Sequence, residues 1–218
     1  MTSRRPLLLS ATVVAAGFAL GACSSSGSNP AAGPGTSPNP RPSTPSSSSP
    51  HRVRSQAPVP AENNPPGDIP DNLAFVAYRD RGGRFRFTHP EGWAQRRQSG
   101  GVVFTDKLNG VQVTAGTQST PPSPATARQQ DVPALQRTQP AFQLRSISAV
   151  SEPAGRGVLI VYRRNSAPDP VTGRRYRDEV QRYELVSGGH SVVMELFGPV
   201  GADNVDAYRT MISSLRQR

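Results

Sequence analysis

The sequence predicts an α+β fold, an antiparallel β-sheet flanked by helices, over residues 71–218. Three observations carry that reading. Short apolar runs alternate with polar residues at period two through most of this stretch, as strands with one wetted face require. Turn residues, among them Asn109-Gly110 and Gly188-Gly189, separate the runs at hairpin spacing. Near the end, Val205, Tyr208, Ile212 and Leu215 fall on one helical stripe. A sheet joined by hairpins, with helices laid on it, is α+β in class. The 148 residues from Asp71 to Arg218 hold 12 of the 13 aromatics. A domain of that size buries roughly two-thirds of its unfolded surface, enough for one stable core.

Taken in order, Phe75 to Tyr78 and Phe85-Arg86-Phe87 open the alternation. His89-Pro90-Glu91-Gly92 places proline and glycine where a type I turn wants them, and Trp93 follows directly. Val102 to Phe104 and Val111-Gln112-Val113 read as two further strands, with Asn109-Gly110 as the hairpin turn between them. Ser123 to Gln139 is rich in alanine, glutamine and arginine and lacks alternation, so it reads as helical. Pro133 is expected to interrupt that helix or to start a second short one at Asp131. Four strands follow, Phe142 to Ser151, Gly157 to Arg164, Arg174 to Val186 and Ser191 to Phe197. Pro168 to Gly173 is a loop between the second and third of these, and Gly188-Gly189 a tight turn between the third and fourth. In the closing helix Asp203 is the expected N-cap, with Asp206 also favourable at the positive end of the helix dipole. Arg216 and Arg218 suit its carboxyl end.

Residues 23–70 have a different texture. Ser24 to Pro70 contains 12 prolines, 11 serines and four glycines in 47 residues, with hardly any large apolar side chain. Such a segment cannot offset its ordering entropy by burial and is expected to be a disordered linker. As a random coil its ends lie on the order of 40 Å apart, which gives a following domain reach. Before it, Met1 to Arg5 is basic and Leu7 to Leu20 is apolar and uncharged, the layout of an export signal over residues 1–22. Fourteen residues are too few for a helix to span a bilayer core of roughly 30 Å, which takes about 20.

The chain carries a formal charge of +10, and residues 71–218 hold 20 basic side chains against 13 acidic ones, a balance of +7. Positive charge of this size favours anionic lipid headgroups and polyanions as neighbours without selecting among them. Arg163, Arg164, Arg174, Arg175, Arg177 and Arg182 are expected to concentrate at one end of one hairpin, with Tyr162, Tyr176 and Tyr183 among them. Guanidinium forks recognise carboxylate and phosphate and stack on aromatic faces, so this cluster is the candidate docking patch. The plainer alternative is a solvated strand surface neutralised by Asp178, Glu179 and Glu184.

His89 and Glu91 flank Pro90 and can be read as an acid–base pair, or as part of a turn that sets Trp93 against the core, the preferred reading. His190 stands in a hairpin turn. No Gly-x-Ser-x-Gly elbow, His-x-x-x-His pair or phosphate-binding glycine loop is present. No catalytic residue, metal ligand, cofactor or nucleic-acid partner is therefore expected.

Two resemblances add to this reading. Leu20-Gly21-Ala22-Cys23, which ends in the chain's single cysteine, resembles the lipobox of bacterial lipoproteins. That implies a diacylglyceryl group on Cys23, removal of residues 1–22 and a mature protein anchored on the outer face of the cell membrane. Two or more acyl chains anchor stably where one is marginal. Tyr78-Arg79-Asp80, Phe85-Arg86-Phe87-Thr88-His89-Pro90-Glu91-Gly92-Trp93, Phe104-Thr105-Asp106 with Val111-Gln112-Val113, and Tyr208 with Ile212-Ser213-Ser214-Leu215-Arg216 resemble the PsbP-like superfamily. With the lipobox and tether the chain is most similar to the LpqN type. The superfamily implies a sheet flanked by helices and non-enzymatic accessory work, docked on other proteins. The expectation is an extracytoplasmic, membrane-anchored binding module for an envelope protein or complex. The alternatives are a module that holds an anionic lipid or cell-envelope polymer, and an unrecognised hydrolase.

Overall fold

The structure is a computed structural model, and it describes residues 56–61 and 67–218. Cys23, residues 1–22 and most of the expected linker lie outside the described residues. The described part is an α+β domain, as expected. Its elements are β1 (Phe75–Arg79), β2 (Phe85–Pro90), β3 (Ala94–Gln98), β4 (Gly101–Asp106), β5 (Asn109–Thr117) and α1 (Pro124–Thr138). They continue with β6 (Gln143–Glu152), β7 (Gly155–Asn165), β8 (Arg177–Ser187), β9 (His190–Pro199), α2 (Val205–Ser214) and β10 (Arg216–Gln217).

Seven strands form one antiparallel sheet in the order β3-β4-β5-β9-β8-β7-β6, and β1-β2-β10 form a second, smaller one. Strand alternation gives the large sheet two buried faces. One packs Val111, Val113, Leu185, Met194 and Leu196 against Phe85, Phe87, Trp93, the α2 side chains Tyr208, Met211 and Ile212, and Leu215 just after the helix. The other packs Val158, Ile160, Tyr162 and Val180 under Ala127 and Leu135 of α1. The layers are therefore α1, the large sheet, and α2 with the small sheet.

Several local features depart from the sequence reading for identifiable reasons. Helix α1 runs unbroken through Pro133. Its start is fixed by a capping box, in which Thr126 N–H donates to Ser123 Oγ (3.2 Å) and Ser123 N–H donates to Thr126 Oγ1 (2.8 Å). The β4–β5 turn is Lys107-Leu108, because Asp106 pairs with Asn109 and both Asn109 and Gly110 already belong to β5. Gly110 is there for space, since a Cβ would lie 2.1 Å from the Phe197 ring. Gly188-Gly189 is the tight turn expected, both residues having positive φ (56° and 82°). Strands β3 and β10 were not anticipated. Arg216 and Gln217 leave the helix to pair with Arg86 and Phe85 of β2.

The N-cap of α2 is Asn204, not Asp203, and its side chain does not cap the helix. It is diverted into a buried relay instead. Asn109 Nδ2 donates to the Gly67 carbonyl (2.6 Å), Asn204 Nδ2 donates to Asn109 Oδ1 (2.9 Å), and Ile69 N–H donates to Asn204 Oδ1 (2.8 Å). Ile69 itself is buried in the core. Packing thus begins ahead of Asp71, and residues 56–61 also touch the domain, since Val59 N–H donates to Asn165 Oδ1 at 3.0 Å and Asn165 Nδ2 donates to the Ala57 carbonyl at 2.8 Å. Val205, assigned to the apolar stripe, is 59% exposed. The stripe is carried by Ala207, Tyr208, Met211, Ile212 and Leu215.

Candidate docking site

The β7–β8 pairing sets Arg163 opposite Glu179, Arg164 opposite Asp178 and Asn165 opposite Arg177. Three of the six arginines therefore meet at one end of the hairpin, beside Arg174 and Arg175 of the connecting loop. Arg182 is not with them: it lies in mid-strand, opposite Ile160.

Each of these guanidiniums already has a partner within the chain. Arg163 Nε donates to Glu179 Oε2 at 3.0 Å. Arg164 Nη1 donates to Gln139 Oε1 at 2.9 Å, its Nε lies 3.7 Å from Asp178 Oδ2, and its guanidinium stands 5.0 Å over the Phe197 ring. Arg177 is buried, and its Nη1 donates to the Ala141 carbonyl at 2.8 Å while Nη2 donates to Gln143 Oε1 at 3.2 Å. It ties the start of β6 to β8. Asp178 is buried with one carboxylate oxygen lacking a hydrogen-bond partner. Burial outweighs the pull of Arg164 and pushes its carboxyl up to about 7.

Arg182 belongs to an internal ionic group on the α1 face. Its Nε donates to Glu184 Oε1 and its Nη1 to Glu195 Oε1 at 2.6 Å, and the Tyr162 hydroxyl donates to the same Glu195 oxygen at 3.2 Å. Burial disfavours the Arg182 charge, but Glu195 and Glu184 outweigh it and hold the guanidinium ionised. Asp131 on α1 completes the group. Burial, then the charge of Glu184, lifts its carboxyl above the ordinary range.

What the hairpin end presents is its loop. Asp169 Oδ1 accepts from Val171 N–H (3.1 Å), Thr172 N–H (2.8 Å) and Thr172 Oγ1 (2.9 Å). The backbone closes the loop from both sides, Gly173 N–H to the Asp169 carbonyl (2.9 Å) and Asp169 N–H to the Arg174 carbonyl (2.7 Å). The Thr172 backbone and then its side chain hold the Asp169 carboxyl below the usual range. On this frame Val171 is 90% exposed, at the tip of the loop. Arg174 is exposed with its guanidinium 5.4 Å over the Tyr176 ring, and Arg175 Nη1 donates to the Ser166 carbonyl at 2.8 Å. Sequence reasoning found the arginines but missed Val171. Its signal is an apolar residue at the tip of a Pro-Val-Thr-Gly turn.

His89 is a packing residue. Its ring stacks on Phe104 with centroids 3.7 Å apart, its Nδ1 donates to the Pro90 carbonyl at 2.8 Å, and burial keeps the imidazole below its ordinary pKa. Glu91 and His190 are exposed. Among the described residues no three His, Cys, Asp or Glu side chains gather as metal ligands, and no helix is long and apolar enough to cross a membrane.

No family profile and no curated protein matches this chain. It is similar to the solution structure of cyanobacterial PsbP from Synechocystis sp. PCC 6803, at 15% identity and a TM-score of 0.48, over 70% of this chain and 99% of that one. It is similar to the crystal structure of LpqN, involved in cell envelope biogenesis of Mycobacterium tuberculosis, at 14% identity and a TM-score of 0.40, over 67% of this chain and 91% of that one. A structure from Bacteroides thetaiotaomicron VPI-5482 is similar at 12% identity and a TM-score of 0.41, over 65% of this chain. The match spans about half of that protein's own length, 48%. Identities of this size concern fold and not activity.

Proposed function

We propose that this protein is a non-catalytic binding module of the LpqN type, held on the outer face of the cell membrane by lipid on Cys23, which docks an envelope protein through the Asp169–Arg175 loop. The observation that carries docking is Val171, 90% exposed on a loop braced by the Asp169 carboxylate and flanked by Arg174 and Arg175. An apolar anchor beside two guanidiniums on a pre-ordered frame limits the entropy lost on association. Arg163, Arg164 and Arg177 brace the hairpin end through their own partners rather than contacting the docked protein, and Arg182 lies away from the contact in mid-strand. The lipid anchor and export rest on the basic start, the apolar stretch and the lipobox resemblance of Leu20 to Cys23. The PsbP-like and LpqN-type assignment rests on the motifs from Tyr78 to Trp93 and from Tyr208 to Arg216.

Two variants test the reading separately. Cys23→Ala releases the protein from the membrane fraction if the lipid is the anchor, and continued tight retention sinks the anchor. Val171→Asp with Arg174→Glu removes partner capture from detergent extracts while leaving the fold intact by circular dichroism. Unchanged capture would remove the loop as the contact.

A further inference from the structure

The small sheet carries an arrangement of charge that the docking loop does not explain. Arg79 of β1 is in register with Arg86 of β2, and Arg216 of β10 is in register with the same Arg86. Three arginines therefore lie side by side across three strands on one face, at a strand spacing of about 5 Å. Like charges placed directly opposite are destabilising. Across β7, β8 and β9, by contrast, Arg163 faces Glu179, Arg164 faces Asp178 and Arg182 faces Glu195.

Among the described residues, none of the three forms an ion pair. Arg216 Nη1 donates to the carbonyls of Ser213 (2.7 Å) and Leu215 (2.8 Å), which neutralises the negative end of α2 where it meets the sheet. The row lines a groove of about 570 Å³, floored by the small side chains of Ala77, Thr88 and Ser214. A second hollow of about 270 Å³ continues from it and shares Arg79, Arg86 and Arg216, with Arg218 added. No acidic side chain lines either one.

We infer that this groove is a binding site for phosphate oxyanions, taken between adjacent guanidiniums of Arg79, Arg86 and Arg216. Planar forks match phosphate oxygens bidentately, and three in a row suit a ligand with more than one phosphate or a surface that repeats them. The bound anion removes the like-charge repulsion that the empty row carries. The site lies on a different sheet from the docking loop, and its test is independent of that reading.

Calorimetric titration of tripolyphosphate into the full chain, and flotation with vesicles of phosphatidylcholine alone or mixed equally with phosphatidylglycerol, provide the test. The variant is Arg79→Gln with Arg86→Gln and Arg216→Gln. The comparison is Arg96→Gln with Arg97→Gln and Arg145→Gln, which removes equal charge at exposed sites elsewhere. The row variant should bind at least about tenfold more weakly, and the comparison variant within about twofold of the parent, as charge-assisted bonds require. Loss confined to tripolyphosphate identifies soluble phosphate as the source, and loss confined to the phosphatidylglycerol vesicles identifies lipid headgroups. Equal loss in both variants, or none in the row variant, overturns the inference. Should the triple variant fail to fold, Arg86→Gln alone carries the same expectation at smaller size.

Discussion

Arginine does two different jobs in the two sheets. In the large sheet Arg182 sits between Glu184 and Glu195, Arg164 beside Asp178, and Arg177 among backbone and amide oxygens, each at least half-buried. These side chains join strands to each other and to the α1 layer. In the small sheet Arg79, Arg86 and Arg216 stand in a row without an acid among the described residues. Charge matched within the fold is structural. Charge left unmatched at a register position is available to a ligand.

Substitution should separate the two groups sharply. Replacing Arg182 with methionine leaves Glu184 and Glu195 buried without their cation. The expected loss is about 3–5 kcal/mol of unfolding free energy, read by urea denaturation. A loss below about 1 kcal/mol would place Arg182 with the surface arginines instead.

Asp178→Asn sharpens the same contrast through pH. The Asp178 carboxyl rises from an ordinary 3.8 to about 7 on folding, chiefly by burial. Between those values the folded chain holds a proton that the unfolded chain has released. Stability therefore falls as pH rises through that window, by about 1.4 kcal/mol per unit, and levels off above it. Denaturation across the window should show the slope in the parent and its loss in the variant.

Asn109→Ala, which cuts the relay from Gly67 to Asn204, should cost about 1–3 kcal/mol and expose residues 67–70 to protease. Arg86→Thr should be the mildest change, neutral or stabilising by at most about 1 kcal/mol, because it relieves repulsion across β1-β2-β10. Marked destabilisation there would mean that the row holds the small sheet together.

The large-sheet arginines were legible because Arg163 to Arg182 are close in sequence and fall on two strands joined by one loop. The row was not. Arg79, Arg86 and Arg216 are brought together by β10, a two-residue strand that follows a helix and carries no periodicity of its own. Period-two alternation located the strand cores from Phe75 to Phe197, since one-residue slips would turn Val111, Val113 and Met194 outward. It could not foresee that the Asn204 side chain would be spent on Ile69 rather than on capping α2, because that choice depends on Asn109, 95 residues away. Pro133 misled for a similar reason: a proline normally stops a helix, and here packing of Val132 and Leu135 carries α1 through it.

The protein contact proposed for this module is the braced loop of the β7–β8 hairpin. The most direct measurement places a photo-crosslinking residue at position 171 of the full-length protein in cells, with position 96 on the exposed edge strand β3 as comparison. One recurrent envelope protein should be captured from position 171 and not from position 96. Equal capture from both positions, or recovery of lipid or polymer alone from position 171, would contradict it.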